Sequence, residues 1–228
     1  MKKKKYIVWI SLVILAGAGY WFYHHLMDSK EPFHDPKYYR AELDTIRAER
    51  MALRSHVAGV QQLKSKFMQQ ISKRVFAYWY GTKWDFNGTT ETPQTGSIAC
   101  GYFVTTTLRD MGVPINRVKM AQCASEEMIR SLTTKPYIYH LSGMSLADFE
   151  NKLAKKGDGL YIVGLDNHTG FLWFSGEEHF FIHSTGWFPF KVVKDKICES
   201  SVLAKSNYRV VGRISDDADF LKRWVNAD

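Results

Sequence analysis

Hydrophobic positions change their period several times along this 228-residue chain, and each change predicts an element. The run Tyr6–Tyr23 contains 18 residues and no charge, near the lower limit for a helix that spans a bilayer. A helical period follows from Pro36 to Tyr78. Counted in heptads from Tyr39, one seam reads Tyr39, Ile46, Leu53, Val60 and Phe67, all apolar. The other reads Leu43, Arg50, Val57, Lys64 and Ile71, broken by two basic residues, and Gly59 weakens the middle. A stable isolated coiled coil does not fit that pattern. It fits a helical stalk over residues 28–75 that packs partly on the next domain or on a partner helix. It equally fits an amphipathic helix covering one face of a sheet.

After this segment the punctuation is denser. Thr92-Pro93-Gln94-Thr95-Gly96 is a turn-rich stretch. Beyond it Phe103, Val104, Thr107, Leu108 and Met111 recur at helical spacing until Gly112 and Pro114. A helix is therefore expected from Ser97 or Ile98 to Met111, with Cys100 in its first turn. Two short helices are expected over Ser125–Leu132 and Ser145–Lys155, the latter with Ser145 as N-cap. Leu160–Leu165 is almost continuously apolar and reads as a central strand. His168–Phe174 and His179–His183 read as two more strands across the polar loop Ser175–Glu178. A late strand is expected over Tyr208–Ile214 and a terminal helix over Asp216–Val225.

The candidate chemistry lies in this second half. A cysteine at a helix start meets unpaired N–H groups and a positive dipole end, which favour the thiolate. Gly101 beside it is expected to leave room for a substrate carbonyl. If the Ser175–Glu178 loop closes an antiparallel hairpin, Phe174 faces His179 and Gly170 faces His183. His168 is then a diagonal neighbour of His183 on one face, within reach of two imidazoles. Cys100 would be the nucleophile, His168 its general base and His183 the group that orients the base. His179 and His183 form an H-x-x-x-H, but the zinc-protease glutamate is missing and Phe180-Phe181-Ile182 argues for a strand, so no metal is expected. No phosphate-binding glycine loop or other cofactor motif is present, and none is expected.

These motifs resemble, over Tyr80 to Ile214, the NlpC-type branch of the papain-like cysteine hydrolases, which includes peptidoglycan endopeptidases and CHAP-related amidases. Gly81–Gly88 stands where that family has an aromatic and glycine segment. Ala99-Cys100-Gly101 resembles its nucleophile motif, and Gly157–Leu165 followed by His168-Thr169-Gly170 resembles its strand and H-x-G. His183 and the closing Trp187–Lys191 and Tyr208–Arg213 stretches are similar as well. Ala99 departs from the usual acidic residue, and Trp84 stands where a tyrosine usually helps to form the oxyanion hole. Gln94 has the spacing of papain's oxyanion glutamine, so Gln94 and Trp84 are both candidate donors. The resemblance implies an α+β, papain-like fold with N-terminal helices on a central antiparallel sheet, a small half-barrel. It also implies a hydrolase acting on peptide or peptidoglycan-like amides.

The flanks complete the expectation. Lys2–Lys5 before the apolar run, and Tyr20-Trp21-Phe22-Tyr23 at its end, point to a single-pass membrane anchor over residues 1–27 with a cytoplasmic N-terminus. Ala16-Gly17-Ala18 leaves a cleaved signal peptide open. Either version exports the domain at 76–228. The net charge is +8; without Lys2–Lys5, 27 basic residues stand against 23 acidic ones, too mild a balance to argue for nucleic acid. In an oxidising space Cys123 and Cys198 either pair or remain two free thiols. The expected function is a membrane-anchored, extracytoplasmic cysteine hydrolase with a Cys100–His168–His183 triad. The alternatives are a catalytically silent envelope-binding or scaffolding module, whose helical segment recruits a partner, and a thiol acyltransferase on the same fold.

Overall fold

The computed structural model describes residues 34–55 and 58–227. The apolar run, and with it the anchor-or-signal expectation for residues 1–27, lies outside them. Among the described residues no helix is long and apolar enough to cross a membrane. The architecture is α+β, built on one antiparallel sheet of six strands.

In chain order the strands are β1 (Ile138–His140), β2 (Gly159–Leu165), β3 (Thr169–Ser175), β4 (Glu178–Ser184), β5 (Val192–Lys196) and β6 (Arg209–Arg213). They lie side by side as β1-β6-β2-β3-β4-β5. Every residue of β2 is buried, as its unbroken apolar sequence requires of a strand covered on both faces. The helices are α1 (Tyr39–Ser55), α2 (Val60–Gln70), α3 (Cys100–Asp110), α4 (Arg117–Gln122), α5 (Ser125–Leu132), α6 (Leu146–Ala154), α7 (Ser201–Lys205) and α8 (Ala218–Asn226). From α2 the chain passes through a π-helical turn, Ile71–Val75, into a last α turn, Phe76–Trp79.

The two parities of the strands feed two cores. Leu160, Ile162, Phe171, Ile182 and Val210 pack with Ile46, Phe67, Phe76, Phe103, Ile129 and Trp224 from the larger helical layer. Tyr161, Val163, Leu172, Phe174 and Phe181 pack on the opposite face with Phe149, Leu153 and Leu203. Period-2 alternation thus decides which helix each strand residue meets.

The expected stalk over residues 28–75 is not set apart from the domain within the described residues. Ile46, Leu63, Phe67 and Ile71 belong to the main core. The rings of Phe220 and Trp224 stand edge-on to Phe67, with centroids 5.3 and 5.0 Å away. The two basic residues that interrupt the second seam explain the difference. Arg50 is buried, and its Nη1 donates to the carbonyls of Trp224 (2.8 Å) and Ala227 (2.7 Å), which places a cation at the negative end of α8. Lys64 Nζ donates to Asp158 O (2.8 Å) and Asp216 Oδ1 (2.7 Å). Both are tethers to the domain, whereas an isolated coiled coil would carry them as defects.

The expected hairpin is present with Phe174 opposite His179. Ser125–Leu132 is a helix over that span, and Ser145 caps α6 by accepting from Asp148 N. Four elements were not expected: β1, with three residues just after Pro136, the helices α4 and α7, and β5, whose Val-Val-Lys-Asp-Lys sequence is that of a charged edge strand.

Candidate active site

Helix α3 starts at Cys100, with Ala99 in extended conformation as an N-cap that has no side-chain hydrogen bond. Three contacts hold this start against the sheet and the preceding loop. Ala99 N donates to Gly88 O (2.8 Å), Ile98 N donates to Lys83 O (2.9 Å), and Ser184 Oγ at the end of β4 donates to Ile98 O (2.7 Å). Gly88 passes so close that a Cβ there would lie 2.6 Å from Ile98 N. Gly101 lines the same hollows as Cys100, and packing needs the glycine as well. A Cβ on Gly101 would stand 2.5 Å from Ala121 O, so this glycine lets α4 lie against α3.

The thiol is half-buried and opens on a cavity of about 680 Å³ whose walls include Trp84, Phe86, Tyr102, Asn167, His168 and Trp187. A second hollow of about 580 Å³ shares Cys100 and His168 and continues towards Cys123, Glu126 and Tyr208. Cys100 and His168, 68 positions apart in the chain, therefore face common space. Among the described residues no hydrogen bond joins the sulfur to the ring.

The histidine pair is closely set. His168 Nε2 lies 2.8 Å from His183 Nδ1, with the rings nearly perpendicular at 84°. His183 is fully buried and stacks on Phe181, with centroids 3.9 Å apart and planes 15° apart. Gly170 makes this approach possible. A Cβ there would be 2.7 Å from the Cβ of His183, so any larger residue would push the imidazole off its partner. The other nitrogen of His183, Nε2, is 3.1 Å from Asp195 Oδ2 on β5. With Nε2 of His168 engaged, Nδ1 is the ring nitrogen that remains for chemistry in the cavity.

Burial governs the protonation of all three groups. It pushes the Cys100 thiol up, against N–H groups of Thr169, Gly101 and Cys100 itself that favour the thiolate. It pushes His168 well below the usual imidazole range, helped by the neighbouring His183. His183 also goes down through burial, opposed by Asp195. The expected low-pKa thiolate is thus not the resting form, because desolvation outweighs the helix start. Both imidazoles rest neutral, and the thiol keeps its proton until a base takes it.

The lowered imidazole values have a consequence for stability. The unfolded chain binds protons at about pH 6.5, whereas the folded rings resist them, so acid favours unfolding. Stability should be level above about pH 7.5 and fall below about pH 6.5, by up to about 1.4 kcal/mol per ring for each pH unit. Urea unfolding at pH 7.5 and pH 5.5 checks this. Equal unfolding free energies would mean that the folded rings accept protons freely.

The oxyanion candidates separate. Gln94 does not line the cavity. Its Nε2 donates to Tyr78 O (2.9 Å) and His34 O (3.3 Å), and its backbone sits at a positive φ of 59°. It builds the loop, and its amide is engaged there. Trp84 does line the cavity, lying over Gly186, where a Cβ would be 2.7 Å from the indole Cζ2. His179 is bonded to Glu150 Oε1 at 2.8 Å, away from the pair. Cys123 and Cys198, like Cys100, carry free thiols, so the disulfide alternative falls.

Asp195 escaped the sequence reading because β5 was not assigned as a strand. Its signal is parity: pairing with Phe181 places Asp195 on the face that carries His183. No protein-family model matches this chain, and no curated protein and no solved structure matches it either.

Proposed function

We propose that this chain is a cysteine hydrolase that cleaves amide bonds through a thioester on Cys100. The observation that carries the reading is one shared cavity in which a helix-start thiol faces an imidazole whose far nitrogen is held by a second, buried histidine. A Cys-bearing helix packed on an antiparallel sheet that supplies the histidines is the arrangement of a papain-like fold, and we read the domain as one.

The chemistry follows from the resting protonation. When substrate enters, the thiol turns towards His168 and gives its proton to Nδ1, and Sγ attacks the carbonyl carbon. The tetrahedral oxyanion is met by the N–H of Cys100 at the start of α3, with the indole N–H of Trp84 as the side-chain donor on the same cavity wall. Collapse breaks the C–N bond, and the leaving amine takes the proton from His168. Water, deprotonated by the same nitrogen, then opens the thioester, and the proton returns to sulfur.

The larger cavity has no Lys, Arg, Asp or Glu among its lining residues; its walls are aromatic rings and the amides of Asn87, Gln122 and Asn167. Such walls suit the amide backbone of a peptide bound by ring contacts and neutral hydrogen bonds. A peptidoglycan stem peptide is the substrate class proposed, with the domain outside the cytoplasmic membrane on the N-terminal anchor. The test is mass spectrometry of purified peptidoglycan incubated with the wild-type protein and with Cys100→Ala. New fragments whose masses together exceed that of their parent by one water per cut, present only with the wild type, are expected. Fragments from both proteins, or from neither, overturn the reading. New amide-linked products in place of hydrolysed ones would assign acyl transfer instead.

A further inference from the structure

Asp195 lies outside the cavity and touches neither Cys100 nor His168. We propose that it is a positioning residue that sets the direction of the two-imidazole chain, and so decides that Nδ1 of His168 is the base. The proposal rests on the hydrolase reading for its kinetic part only.

A carboxylate oxygen can only accept, so at 3.1 Å from Asp195 Oδ2 the Nε2 of His183 must carry the hydrogen. A neutral imidazole carries one N–H, so Nδ1 of His183 is an acceptor. At 2.8 Å from it, Nε2 of His168 must then be the donor. Nδ1 of His168 is left bare towards the cavity, able to take the proton of the thiol. Remove the acceptor at 195 and nothing opposes the reversed chain, in which His183 donates from Nδ1 to Nε2 of His168. The cavity would then face an N–H, which cannot act as a base.

The location suits the role. His183 has no exposed surface, whereas the Asp195 side chain keeps 39% of its area in solvent at the sheet edge. The negative charge stays hydrated at little cost, yet one hydrogen bond links it to an imidazole that could not hold a charge alone. When His168 takes up the thiol proton, the two-ring chain becomes cationic, and Asp195 is its counter-charge.

The other charged groups nearby are engaged or point elsewhere. His179 on β4 bonds Glu150 of α6 at 2.8 Å, and Lys196 lies 3.6 Å from Glu199. Lys194 lies over the ring of Phe180, on the other parity of the sheet. Lys205 and Asp166 line a small hollow behind His168, where Asp166 accepts from Ser206, Asn207 and Tyr208. Among the described residues, Asp195 is the carboxylate in hydrogen-bond contact with the imidazole pair.

The experiment uses the full chain with ¹⁵N-labelled histidine and three variants. In the wild type near pH 7.5, long-range ¹H–¹⁵N spectra should show both rings protonated on Nε2. Asp195→Ala should shift His168 or His183 towards the Nδ1–H form and slow Cys100 alkylation and turnover on the order of 10²-fold. Asp195→Asn, whose carbonyl can still accept, should keep the tautomers, lose the charge, and move the basic pKa of the alkylation profile downwards. Asp195→Glu should restore most of the rate.

Unchanged tautomers and an unchanged pH profile in Asp195→Ala would overturn the proposal, as would rates for Asp195→Asn and Asp195→Ala equal to the wild type. A residue that only supports the sheet edge would lower the melting temperature and leave both readouts still. If the wild type proves to cleave nothing while the tautomers behave as stated, the hydrolase reading fails and the positioning role survives.

Discussion

Cys100→Ala is expected to abolish turnover while leaving the fold intact. In the proposed mechanism the nucleophile has no substitute in the cavity, because the other sulfur in the adjoining hollow, Cys123, is directed to Met120 O at 3.2 Å. Loss of the attacking atom leaves only binding and oxyanion stabilisation, so a fall of about 10⁴-fold or more in kcat is expected. Cys100→Ser should fall comparably. The His168 imidazole, pushed down by burial, is a weak base for a hydroxyl that holds its proton far more firmly than a thiol. The structural cost is small, since the thiol lies half-buried on a cavity wall and its removal opens no sealed void. A change of about 1 kcal/mol or less in unfolding free energy is expected. Single-turnover assays with thermal melts on the same preparations check both halves. Activity of the alanine variant within tenfold of the wild type would remove Cys100 from the mechanism.

Phe67→Ala is the second large effect, and it acts on the fold. Phe67 is wholly buried between the rings of Phe220 and Trp224, in the layer that covers the sheet. Truncating it removes the six ring carbons from a close-packed core and leaves a cavity, a loss of about 3–5 kcal/mol. Met51→Ala on α1, at a position 57% exposed, should change stability by less than about 0.5 kcal/mol. The pair separates two architectures. If the helices over residues 39–79 were an independent stalk, urea unfolding of the rest of the domain would ignore both substitutions. A single cooperative transition shifted by Phe67→Ala alone would establish that they are part of the domain.

The helical seams show where local pattern reached its limit. The apolar seam from Tyr39 to Phe67 states that one face is buried, and it is. Arg50 and Lys64 in the other seam look like interruptions because a sequence shows charge without its partners. Those partners, the last carbonyls of α8 and the Asp158–Asp216 corner, stand more than 90 positions away. The hairpin was readable for the opposite reason: a short loop fixes which residues face each other, so His183 and Gly170 could be paired from spacing alone, and the register holds although the turn is the two residues Gly176-Glu177 rather than the expected four. Gln94 failed because spacing to a cysteine says nothing about where an amide points, and a turn with positive φ directs it into the loop.

The chain alone determined the local facts: a helix with Cys100 in its first turn, although it starts at Cys100 itself and not at Ser97 or Ile98, a strand that carries His183 and another that begins one residue after His168, and the register that brings those rings together. These depend on neighbours within a few turns or one short loop, and the 3.6 and 2.0 periods encode them directly. Tertiary structure decided the rest. It buried both rings and half-buried the thiol and so set them neutral, brought Asp195 beside His183, and folded the supposed stalk into the core. Each of these depends on desolvation or on long-range partners, and such energies arise only when distant segments exclude water from one another.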